Sequence, residues 1–130
     1  MNKMSMTRQR KIILEDIDRD NYHPTADEVY YNVRKVLPKI SLGTVYRNLD
    51  LLTEKGVLNR LDTGLGPRRY ETVKHQHYHV ACSLCGRIDD IDMPDLTEVI
   101  GGALKGGNQA GYSVEAHRLE FYGLCPDCSN

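Results

Sequence analysis

Four cysteines fall as two close pairs, Cys82-x2-Cys85 and Cys125-x2-Cys128, with 39 residues between them. No other feature constrains the fold as much, because the chain between the pairs must return so that the two knuckles meet. Paired thiolates at this spacing fit a tetrahedral four-thiolate zinc site better than a disulfide framework. Such a site has no open coordination position, so its zinc is structural and its binding free energy becomes folding free energy. A CxxC pair can also be a redox motif, but neither pair lies in a thioredoxin-like βαβ pattern. The length of 130 residues allows one ordinary domain or two small ones, and two small ones need a staple of this kind.

Just upstream of the first pair stand three of the five histidines, His75, His77 and His79, in alternation. Alternation puts them on one face of a strand. The zinc would already be saturated, so the histidines need a second account. Imidazole with added carboxylate suits iron(II), manganese(II) or zinc(II), and Glu71, Asp89, Asp90 and Asp92 are near in sequence. His23 and His117, taken singly, read first as structural.

The net charge of -1 conceals an asymmetry. Residues 1–74 carry 14 Lys+Arg against 10 Asp+Glu, or +4, and residues 75–130 carry 3 against 8, or -5. A basic half joined to an acidic half suggests polyanion binding in the first and another task in the second. No apolar run reaches the length of a membrane span, and the N-terminus has no signal-peptide core. The expected location is the reducing cytoplasm, where thiolate ligands persist.

Helical periodicity is clear in the basic half. Thr7 caps a first helix with apolar Ile12, Ile13, Leu14 and Ile17. Thr25 and Glu28 form a capping box for a second, Ala26 to Leu37, expected to bury Val29, Val33, Val36 and Leu37 before Pro38. Ser41 caps a third, Leu42 to Lys55, ended by Gly56. Its polar face carries Thr44, Tyr46, Arg47 and Asn48, which can hydrogen-bond base edges, stack, and pair with phosphate. Val57–Asp62 and Arg68–Val73 then read as a hairpin about Thr63-Gly64-Leu65-Gly66-Pro67, a wing made basic by Arg68 and Arg69. Three helices followed by a hairpin make a winged helix, and nucleic acid is the expected partner.

In the acidic half, His77–Ala81 and Arg87–Ile91 are strand-like about the first knuckle. A helix after Pro94 gathers Leu96, Val99, Ile100, Ala103 and Leu104 on one face. Tyr112–Leu124 reads as a returning strand that ends at the second knuckle. The fold class is therefore α+β, a winged helix-turn-helix unit over 1–73 with its hinge and a small zinc-bound α/β unit over 74–130.

Three motifs occur together: Thr-Val-Tyr-Arg-Asn-Leu in the third helix, His-Tyr-His-x2-Cys-x2-Cys-Gly-x-Ile, and His117-Arg-Leu-Glu-Phe-Tyr-Gly-Leu-Cys-x2-Cys. In this order, over about the whole chain, they resemble the Fur family of metal-dependent repressors. The resemblance implies a homodimer that holds structural zinc on Cys82, Cys85, Cys125 and Cys128 and closes two winged helices on a palindromic operator in double-stranded DNA when a regulatory metal binds. It is nearest the peroxide-sensing PerR branch, whose regulatory iron(II) or manganese(II) ligands fall here on His23, Glu71, His77, His79 and Asp90. In that branch iron and peroxide oxidise a ligand histidine, His23 or His77 here.

Two positions depart from the pattern. Glu71 stands where that branch has aspartate and iron sensors have glutamate, whereas Asp90 is the choice of the peroxide sensors. A further family site in the dimerisation unit looks broken, with Gln76 and Tyr78 at its ligand positions, leaving His117 as a structural strand histidine and His75 without a matching ligand position. The rival readings are an iron- or zinc-uptake regulator and, from another class, a metalloenzyme with His77, His79 and Asp90 around a catalytic metal. The metalloenzyme reading has no candidate general base or nucleophile and leaves the basic half unexplained. A zinc-stabilised RNA-binding protein would want interleaved aromatics, and the chain has eight scattered tyrosines and one phenylalanine.

Overall fold

The computed structural model describes residues 5–74 and 77–129. His75 and Gln76 lie outside the described residues. Helices α1 (Arg8–Ile17), α2 (Ala26–Val33) and α3 (Leu42–Glu54) precede the hairpin β1 (Leu58–Leu61) and β2 (Arg69–Thr72). Then come β3 (Tyr78–Cys82), β4 (Ile88–Ile91), α4 (Thr97–Lys105) and β5 (Phe121–Gly123).

The first three helices start where side-chain caps allow. The Thr7 hydroxyl accepts from Arg10 N, Thr25 forms the full capping box with Glu28, and Ser41 accepts from Thr44 N. Their apolar faces converge with the wing on one core of Ile13, Ile17, Val29, Val33, Val45, Leu49, Leu52, Leu58 and Tyr70. The wing pairs antiparallel from Leu58 opposite Thr72 to Leu61 opposite Arg69.

The segment before α2 joins this wing. Tyr70 N donates to Pro24 O at 2.9 Å, and Thr25 forms an isolated antiparallel bridge with Arg69. His23 is thereby fixed beside the strand that carries Glu71.

Helix α2 stops at Val33, four residues before the expected end. The residue before a proline is driven out of the α region, and the chain tightens ahead of Pro38 into bonds such as Val36 N to Val33 O. Val36 is consequently 54% exposed instead of buried.

The second sheet has the order β4-β3-β5, with β4 antiparallel and β5 parallel to β3. The returning strand expected over Tyr112–Leu124 is reduced to Phe121–Gly123. Its register supplies the reason. Val80 is opposite Phe121, so β3, beginning at Tyr78, runs out as a partner for anything earlier than about residue 119. Residues 113–120 are exposed, and His117 lies on this segment instead of in a strand.

Helix α4 begins at Thr97, after Asp95 has accepted from Thr97 N and Oγ1. Its expected apolar face is not buried: no α4 residue is, and Val99 is 66% exposed. Among the described residues no helix is long and apolar enough to cross a membrane.

Candidate metal centres and the nucleic-acid face

The two cysteine pairs meet. The Sγ atoms of Cys82, Cys85, Cys125 and Cys128 all lie within 4.8 Å of one another, with Cys85 and Cys125 at 3.8 Å. A tetrahedron with metal–sulfur bonds of about 2.3 Å has edges of about 3.8 Å, whereas a disulfide needs about 2.05 Å. All four cysteines are free.

Backbone N–H groups of Cys125 and Cys85 donate to Cys82 Sγ and pull its thiol down to about 6. Cys128 is pushed up to about 12, first by its hydrogen bond with the Cys125 sulfur and then by desolvation. Four sulfurs this close cannot all be thiolates without a cation among them. The donor set fits structural zinc.

A second cluster comprises His23, Glu71, His77, His79 and Asp90, again with one ligand atom each inside 4.8 Å. Glu71 Oε1 is its hub, lying 3.4 Å from His23 Nε2, 3.0 Å from His77 Nε2 and 2.9 Å from His79 Nε2. Asp90 Oδ1 meets the same nitrogens at 2.9, 3.3 and 3.4 Å. Donors each about 2.1 Å from one metal and at right angles are separated by about 3.0 Å. With neutral imidazoles the two carboxylates give a formal charge of -2, the complement of a divalent cation.

The backbone explains the convergence. His23 arrives on the bridge to β2, Glu71 sits in β2, His79 sits in β3 directly opposite Asp90 in β4, and His77 immediately precedes β3. Burial alone would raise the Glu71 carboxyl, but hydrogen bonds with His23, with His79 and from Asn59 outweigh it and hold it well below the usual carboxylate range. His23 is 6% exposed, and its Nδ1 is buried without a hydrogen-bond partner, so the imidazole is committed to the cluster through Nε2. Asp89, offered by proximity alone, faces elsewhere and takes Arg87 and Asn21.

Three supporting residues carry no site signal in the sequence motifs. Asn21, at the left-handed φ of 47°, accepts from Asp90 N at 2.7 Å and donates to Asp89, so it ties the loop before His23 to the edge of β4. Arg69, expected on a basic wing surface, turns inward and donates to His23 O, Gly86 O and Glu28. Asn59 donates to Glu71 Oε2. A hairpin centred on Leu65 places Asn59 opposite Glu71, so this pairing is within reach of the sequence; the contacts of Asn21 and Arg69 are tertiary and have no local signal.

On α3, Tyr46 and Arg47 are exposed, with Arg47 Nη2 bonded to Thr44 Oγ1 at 2.9 Å. Asn48 is 7% exposed and used internally, accepting from Arg10 Nε at 3.0 Å and donating to Thr44 O at 2.9 Å. The outward surface is therefore Thr44, Tyr46 and Arg47, with Asn48 bracing α3 against α1.

A winged helix joined through a five-ligand cluster to a four-thiolate unit defines a DNA-binding metalloregulator. The ferric uptake regulator family matches residues 1–122. The chain is 38% identical over 129 residues to the peroxide-responsive repressor PerR of Staphylococcus saprophyticus subsp. saprophyticus, covering 99% of this chain and 85% of that one. It is 40% identical over 124 residues to the peroxide operon regulator of Bacillus subtilis, covering 95% and 83%. The solved peroxide stress regulator of Campylobacter jejuni superposes with a TM-score of 0.73 at 32% identity, over 92% of this chain and 88% of that one. The chain belongs to the ferric uptake regulator family. It is a metal-dependent, DNA-binding transcriptional repressor and not an enzyme, and its two clusters fit the structural zinc and the regulatory iron or manganese that members of this family bind.

Proposed function

We propose that residues 1–73 are the DNA-binding unit, that residues 74–130 are the metal-binding dimerisation unit, and that His23, Glu71, His77, His79 and Asp90 are the regulatory ligands of a peroxide sensor. One observation carries the reading: the five ligand atoms come from both sides of the hinge, His23 and Glu71 from the winged-helix side, His79 and Asp90 from the second sheet, and His77 from the residue just before β3. A ligand shifts a conformational equilibrium only by its differential affinity for the two states. Only the closed arrangement brings all five atoms together, so the differential is built into the site.

Two winged helices held in this pose on a dimer present α3 twice, as a palindromic operator requires. Cytoplasmic location agrees with four cysteines that form no disulfide. Iron(II), when bound, supplies the reductant that turns hydrogen peroxide into an oxidant able to add one oxygen atom to a ligand imidazole. His23 and His77 are the residues assigned to that oxidation. Loss of His23 as a ligand removes one of the two donors from the winged-helix side, and the closed form loses its advantage.

Iron-loaded protein is expected to bind operator DNA, to release it on chelation, and to release it lastingly after brief peroxide treatment. Asp90→Glu should keep metal-dependent DNA binding yet blunt the peroxide response; equal loss of DNA binding in both proteins would count against the role of Asp90. Glu71 supports a second reading, sensing of metal level, because glutamate there follows the iron-sensor pattern. Under that reading peroxide leaves the iron-loaded protein on DNA.

The DNA face has its own test. Tyr46→Ala or Arg47→Ala should weaken operator binding by about 1–3 kcal/mol where the side chain reads a base edge. Affinity and sequence preference both unchanged in a fluorescence-anisotropy titration would move the reading surface off α3.

A further inference from the structure

Asn59 and Glu71 are directly opposed in the wing, and the Asn59 amide donates to Glu71 Oε2 at 3.2 Å. The other carboxylate oxygen, Oε1, faces the three histidine nitrogens. The two oxygens thus have separate tasks, one inside the metal cluster and one tied to the neighbouring strand. Glutamate has a longer and freer arm than aspartate, and an untethered glutamate can swing both oxygens onto one ion.

Asn59 and His79 also line a cleft of about 490 Å³ between the wing and the second sheet, together with Arg60, Ala81, Arg118 and Phe121. Of the five cluster residues, His79 is the one that lines this cleft.

We infer that Asn59 is the positioning residue that keeps Glu71 a one-oxygen ligand, so that one position of a six-coordinate centre stays open to a small neutral molecule, water or hydrogen peroxide, entering from the cleft. With one donor from each of the five cluster residues, a six-coordinate ion would keep one position for such a molecule, and a two-oxygen Glu71 would fill it. The inference rests on the five-ligand reading above and deepens it. It also explains how glutamate at residue 71 is compatible with a site that must admit peroxide.

The test uses full-length, zinc-loaded protein and manganese(II) alone as probe, counting metal-bound exchangeable waters by electron paramagnetic resonance in oxygen-17 water. Wild type is expected to show one. Asn59→Leu, of similar size but without a donor, is expected to show none, as is Asn59→Ser, whose smaller side chain adds no packing strain and does not reach Oε2. Both variants should stay folded with zinc content unchanged, which separates positioning from folding. A water count of one in both folded variants would overturn the role of Asn59. Failure of wild type to bind manganese would overturn the five-ligand site and this inference with it. No peroxide is added, so the result is independent of the oxidation chemistry. In iron-loaded protein the same variants should react with peroxide at least 10-fold more slowly than wild type.

Discussion

Cys82→Ser is expected to release zinc and unfold the chain from about residue 78 onward while the three-helix unit stays folded. The large core belongs to α1, α2, α3 and the wing, with Ile40 from the turn before α3. Beyond it the buried apolar residues among those described are few, Tyr78, Ala81, Cys82, Ile88 and Cys125, and two of these belong to the cysteine cluster. Strands of five, four and three residues with an unburied α4 do not make an independent core. Structural zinc in small units contributes an apparent ~10–16 kcal/mol, which matches or exceeds the ~5–15 kcal/mol stability of a whole ordinary domain. Hydrogen exchange should show protection lost across β3, β4 and β5 and kept in α1–α3, with the protein monomeric. A zinc-free dimer with normal protection in β3 would refute this account of the second unit.

Glu71→Gln is the second large effect. The change is nearly isosteric, so the wing should fold, but it removes the charge at the hub of the cluster. Loss of a residue that merely orients a metal ligand typically costs about 10–100-fold in metal affinity, and a direct ligand shared by three imidazoles should cost at least as much. Metal-dependent operator binding should vanish at manganese concentrations that saturate wild type, while weak binding without metal is unchanged. Isothermal titration with manganese(II) gives the affinity, and an unchanged value would remove Glu71 from the ligand set.

Local rules make much of this fold legible in the sequence. The Thr25–Glu28 capping box and the Ser41 cap mark helix starts because they satisfy backbone donors within a few residues. The cysteine spacing picks out the four residues whose sulfurs meet. The failures lie where a partner surface decides. Residues 113–120 look like strand but outrun β3, and α4 has an apolar face that this single chain does not cover. Members of this family are dimeric, so both segments carry patterning that one chain alone leaves unused. Periodicity assigns Asn48 and Arg69 to outward-facing polar positions, yet each is drawn inward by a partner far away in sequence, Arg10 in one case and His23 and Gly86 in the other. The pattern gives a residue its face, but it does not reveal what that face meets.

In the function proposed above, iron in the five-residue cluster reports peroxide through oxidation of one of its own ligands. Mass spectrometry of iron-loaded protein after brief exposure to hydrogen peroxide tests it directly. The expected result is one added oxygen on the peptide carrying His23 or the one carrying His77, absent from manganese-loaded protein and appearing as operator binding is lost. Peroxide-treated protein that releases DNA with both peptides unmodified, or that keeps both DNA and unmodified histidines, would contradict it.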